Sequence, residues 1–135
     1  CFTAGLAAER RTQEDLDRFE AFLAGVDAEL DANNDNIAWQ LAKDEEFHHI
    51  IARASDNRFA EQYLNFLFGL SVRSLYVAKV PITMVRDELD SYRSVLTAIR
   101  MRDVAAARAA MGTHLTGNPM QAIFDTLTGR IQKVK

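Results

Sequence analysis

The chain has 135 residues, of which 48% are hydrophobic and 26% charged, with a formal net charge of −3. That length suits one domain, over 1–135, with a real core, and the mild acidity gives no general pull toward nucleic acid. No apolar run reaches the roughly 18 residues of a membrane span, no basic and then apolar leader opens the chain, and a single cysteine, Cys1, rules out an intrachain disulfide, which fits a reducing cytoplasm.

Residues 1–11 read as a short, Ala-rich helix with neither an initiator Met nor a cap before it. The chain is therefore expected to be a piece of something longer, cut inside or just before a helix. Thr12, Gln13, Glu14 and Asp15 match a capping box, so a second helix starts there. Its apolar stripe is Leu16, Phe19, Phe22 or Leu23, Val26 and Leu30. Residues 31–36, rich in Asp and Asn, predict a turn, because such side chains bond their own backbone. A third helix is predicted over about 37–54 and a fourth over about 58–79, separated by Ser55, Asp56 and Asn57. The fourth is apolar over more than half its circumference, so it is expected to be central or covered by a second subunit. Pro81 breaks the chain, and a fifth helix over about 84–101 carries Val85, Leu89, Tyr92, Leu96 and Ile99. Asp103 is placed to cap a sixth, with Val104, Ala107 or Arg108, Met111 and His114 facing inward. Gly117, Asn118 and Pro119 interrupt it, and Ile123, Phe124, Leu127 and Ile131 give an inward face to the tail.

No strand-period segment, Gly-rich phosphate loop or repeat is present. The pattern supports an all-α fold, an antiparallel bundle of six to seven helices with short connections. Within it the stretch KDEEFHHI at 43–50 carries the chemistry. Ile37, Leu41, Asp44, His48 and Ile51 fall at spacings of 4, 3, 4 and 3, a core-facing stripe that aims a carboxylate and an imidazole inward. An unpartnered charge buried there would be costly, so both need a metal, a polar ligand or each other. Tyr92 and His114 lie on inward stripes of two later helices, and Arg73 does so if Phe59, Tyr63, Phe66, Leu70 and Val77 mark the register. Asp44, His48 and His114 form an N/O set suited to a divalent ion such as Zn, Ni or Mn. A structural salt bridge accounts for the Asp44 and His48 pair equally well. His49 falls off the stripe and is expected in solvent.

As a set these residues become specific. Asp44, Phe47 and His48 in the pattern D-x-x-F-H, followed by Ala54, Ser55, Asp56 and Asn57, resemble the signature of the FCD domain, the C-terminal effector-binding domain of the FadR-like branch of GntR transcription regulators. The block YRSVLTAI at 92–99, then Asp103, Ala107, Met111, His114 and Leu115, is similar to that family's second signature, and LAAERRT at 6–12 to its start. The resemblance implies a helical bundle that usually holds a divalent metal between an Asp, a His four residues on and two later His. Asp44, His48 and His114 match three of those ligands; the fourth place holds Tyr92, a poor ligand at neutral pH because a phenol titrates near 10. Either three protein ligands hold the metal with more open positions, or the site is metal-free, as in acyl-CoA-binding members, and Tyr92 bonds the effector directly.

The resemblance further implies a non-enzymatic, cytoplasmic sensor that works as a homodimer. Its effector would be a small organic acid, with Arg73 and Tyr92 as effector-binding residues. DNA would be reached only through a winged helix-turn-helix that this chain lacks. Two other readings compete: a metal-dependent enzyme using Tyr92 as an acid, and a purely structural dimerisation module.

Overall fold

A computed structural model describes residues 1–78 and 86–117, with side chains at 37, 71–78, 86 and 87 outside the described set. Six helices make up the described residues: α1 Phe2–Arg10, α2 Gln13–Asn33, α3 Ile37–Ala54, α4 Arg58–Ala78, α5 Arg86–Arg100 and α6 Val104–Gly117. No strand occurs among them, so the all-α bundle expected from the pattern is the fold. The proposed inward face of the tail lies outside the described residues, as does Val85.

Four of these helices, α2, α3, α4 and α6, start at a local chemical cause. Thr12 Oγ1 accepts from the Asp15 N–H while the Asp15 carboxylate accepts from the Thr12 N–H, a reciprocal box that satisfies two otherwise orphaned donors of α2. Asn36 Oδ1 takes the Trp39 N–H at the head of α3, Asn57 Oδ1 takes the Phe59 N–H at the head of α4, and Asp103 Oδ1 takes the Ala106 N–H at the head of α6. The turn expected at 31–36 is shorter, because α2 continues to Asn33.

Contacts between helices fix their directions. Trp39 donates to Glu29 near the α2–α3 turn while Phe22 meets Phe47 further away, so α2 and α3 run antiparallel. On α5, Arg100 pairs with Glu20 and Arg93 with Asp27, which sets α5 antiparallel to α2. The short α1 lies against α3, α5 and α6. Its C-terminal carbonyls are tied down by Arg102, whose guanidinium donates to the carbonyls of Glu9 and Arg11. Arg102 itself sits at φ 57, the left-handed turn that links α5 to α6.

The core gathers Phe19, Phe22, Val26 and Leu30 of α2, Phe47 and Ile51 of α3, Leu89, Tyr92, Val95, Leu96 and Ile99 of α5, and Ala107 and Met111 of α6. The paired alternatives resolve to Phe22 over Leu23 and to Ala107 over Arg108. One stripe shifts. On α3 the buried residues are Gln40, Asp44, Phe47, Ile51, Ala52 and Ala54, with Leu41 and His48 half-buried beside them. Helix α3 is covered by α1, α2 and α4 together, so its buried sector is wider than one stripe and centres on Phe47.

Candidate metal and effector site

Three helices deliver the polar groups. Helix α3 carries Asp44 and His48 one turn apart, α5 carries Glu88, Ser91 and Tyr92, and α6 carries His114 in its last turn. The ligand-competent atoms of Asp44, His48 and His114 all lie within 4.8 Å of one another. Asp44 Oδ1 stands 3.4 Å from His114 Nε2 and 3.8 Å from His48 Nε2. The two imidazole rings are 5.3 Å apart between centroids.

The surroundings orient these atoms. Ser91 Oγ is 3.0 Å from His114 Nδ1, and a proton on Nδ1 donated to that hydroxyl leaves the Nε2 lone pair facing Asp44 and His48. His114 Nε2 is buried and has no hydrogen-bond partner among the described residues. An imidazole nitrogen left so costs free energy unless something not among those side chains meets it. Phe47 packs under the cluster, with ring centroids 4.3 Å from Tyr92, 5.0 Å from His114 and 5.2 Å from His48, and keeps water from that side.

Burial sets the protonation states. Desolvation outweighs the attraction of Asp44 and, with repulsion from His114, brings the His48 pKa down to about 4. His48 is therefore neutral at pH 7, the form that ligates a metal. Tyr92 is fully buried, and its hydroxyl stands 3.4 Å from both Asp44 Oδ1 and Glu88 Oε2. Burial first, then the two carboxylates, raises its pKa far above the usual phenol range. It stays a hydrogen-bond donor rather than a ligand. Desolvation, then the charge of Asp44, raises Glu88 as well.

Of the residues expected from sequence, Asp44, His48, His114 and Tyr92 come together. Arg73 lies within α4, and its side chain falls outside the described residues. His49 is not simply in solvent: its Nδ1 is 2.8 Å from the Glu45 carbonyl and its Nε2 is 2.7 Å from Asn65 Oδ1, pinning α3 to α4. Glu88 and Ser91 went unread. Glu88 sits four residues before Tyr92 and so shares its face, a signal available in the spacing. Ser91 had none, because a hydroxyl beside a stripe is common. Two open grooves line the outer side of α4, one with Phe59, Tyr63 and Phe66 and one with Asn65, Phe66, Gly69 and Leu70; neither reaches the Asp44 cluster.

Compared with protein families, the chain matches the FCD domain over residues 1–117. Comparisons with curated proteins and with solved structures return no match.

Proposed function

The chain belongs to the FCD domain family, the C-terminal domain of GntR-family regulators, and from that premise we propose that it is the effector-sensing domain of a bacterial transcription regulator of the FadR-like branch. It forms one ligand-binding and dimerisation domain over 1–135 and meets DNA only through a segment outside this chain. A small organic acid enters the bundle core, and its binding shifts the helix arrangement and so the DNA-binding domains of a cytoplasmic homodimer. The observation that carries this reading is the convergence from two helices of Asp44, His48 and a buried His114 Nε2 that makes no hydrogen bond among the described residues.

The donor set fits a divalent metal such as Zn, Ni or Mn: one carboxylate and two imidazoles, with Ser91 fixing one ring and burial keeping the other neutral. Such an ion would supply a Lewis-acidic point for the effector's carboxylate. Tyr92 holds Asp44 in place from the α5 side, and Arg73 is the cation assigned to the effector's remaining charge. The same neighbours disfavour catalysis through Tyr92, because a phenol held so firmly protonated is a poor general acid. No helix among the described residues is long and apolar enough to cross a membrane. FCD domains of these regulators dimerise, and the exposed apolar stripe of α4 supports the same for this chain.

The test is a thermal-shift screen of hydroxy acids, sugar acids and dicarboxylates, with and without Zn, Ni or Mn, beside elemental analysis of protein purified without chelator. At least one acid is expected to raise the melting temperature, and Asp44→Ala to abolish that rise. If no acid shifts the transition and Asp44→Ala alters only the basal value, the sensor reading fails.

A further inference from the structure

Two carboxylates, not one, border the imidazole pair. Tyr92 stands between them, its hydroxyl equally distant from Asp44 Oδ1 and Glu88 Oε2. That hydroxyl has one proton, so it can donate fully to only one of the two at a time. Asp44 is held among α3, α5 and α6 side chains. Glu88 differs: it is half-buried at the rim of the cluster, near the first turn of α5, and Tyr92 is its one hydrogen-bond partner among the described residues. Its three side-chain torsions are free to carry the carboxylate toward the cluster or away from it.

We propose that Glu88 is the fourth protein ligand of the bound metal, swinging in from α5 to join Asp44, His48 and His114. The inference rests on the metal reading above and deepens it. The buried His114 Nε2, which makes no hydrogen bond among the described residues although Asp44 Oδ1 stands 3.4 Å away, is the separate sign that a guest fits there. Charge agrees: Asp44 and Glu88, both as carboxylates, together match the two positive charges of the ion. Chemistry agrees as well, because the phenol of Tyr92 does not ligate while the carboxylate one turn before it does. A neutralised site also changes what it selects. With a second carboxylate on the metal, one fewer position is open to an incoming acid and the ion's positive charge is already offset, so Glu88 sets how tightly the effector is held.

The experiment uses the chain with Zn(II) and Co(II) as probes. Zn affinity is measured by competition with a chromophoric chelator for the parent, Glu88→Gln and Glu88→Cys, and the Co(II) forms are read by absorption. Circular dichroism first checks that each variant keeps its helical content; a rim position half open to solvent is expected to tolerate both changes. Glu88→Gln is expected to weaken Zn binding by about ten-fold or more, and Glu88→Cys to produce a thiolate-to-cobalt charge-transfer band that the parent, with its exposed Cys1, does not show. Zn affinity of Glu88→Gln within two-fold of the parent overturns the proposal. So does weakened Zn binding with no thiolate band, which would make Glu88 a distant charge and not a ligand. A parent that binds both ions while these variants behave like it sinks Glu88 alone; a parent that binds neither ion sinks the metal reading with it.

Discussion

Helices α4 and α5 are both amphipathic, yet they meet opposite fates. On α5 the stripe of Leu89, Tyr92, Val95, Leu96 and Ile99 is wholly buried against α1, α2 and α6, with Phe47 of α3 on Tyr92. On α4, Phe59 is 83% exposed, Tyr63 and Phe66 are each 62% exposed and Leu70 is 48% exposed. They recur every three to four residues, one apolar line along the outer side of the helix. Single exposed apolar residues are ordinary, but a contiguous row marks an interaction surface. The difference teaches that amphipathicity states a demand for a partner without naming it: α5 finds its partner inside the chain, and α4 leaves its row to another surface.

The contrast breaks first in the core beneath α5. Phe47 touches Phe22, Tyr92 and both site histidines. Phe47→Ala should cost about 3–5 kcal/mol through lost burial and the cavity left behind, read as a large drop in the urea midpoint with metal affinity falling alongside. A cost under about 1 kcal/mol would mean that the α3–α5 seam is not the rigid side of the molecule.

Acid separates the two next, because the neighbouring histidines of α3 shift in opposite directions. His48 packs on His114 of α6 and Phe68 of α4 and titrates near 4 when folded, against 6.5 for the free side chain. The folded state refuses a proton that the unfolded chain accepts, so this stability is complete above pH 6.5 and is lost as pH falls toward 4, roughly 3 kcal/mol over that window. His49 faces α4, and although burial lowers its pKa, its bonds to Asn65 and the Glu45 carbonyl prevail and raise it. Its contribution is present below 6.5 and fades as pH rises through its folded pKa. Glu88, also raised, acts in that second sense. NMR titration of metal-free protein should therefore show one imidazole titrating well below 6.5 and another above it; two imidazoles both near 6.5 would remove the distinction.

The smallest effect on folding belongs to the outer row. Phe66→Ser should change unfolding free energy by no more than about 0.5 kcal/mol, while sedimentation velocity shifts toward a smaller species. A variant that unfolds would mean that Phe66 is core after all, and one that sediments unchanged would mean that the row is not where copies meet.

Much of this was legible beforehand, for reasons that can be traced to particular residues. The Thr12 and Asp15 box and the Asp103 cap act within four residues, so spacing alone reveals them. The stripes of α2 and α5 appear as expected because each helix buries one sector. On α3 the spacing puts Ile37, Leu41, Asp44, His48 and Ile51 on the inward stripe and leaves Phe47 off it, since three neighbouring helices cover that helix and a single-stripe template underestimates the buried arc. His49 was misplaced for a related reason: its cover is the Asn65 side chain of the next helix, sixteen positions away.

That the chain is helical, where most helices begin, and that an acid and two imidazoles lie on inward faces can be read from residue order, because those properties depend on neighbours one turn apart. Packing between helices was needed to bring the three ligand atoms within 4.8 Å of one another, to set Tyr92 and Glu88 at the same cluster, and to leave the aromatic row of α4 facing outward. Those outcomes depend on which helix lies across from which, and that follows from the summed packing of the whole core, where no single periodicity has a say.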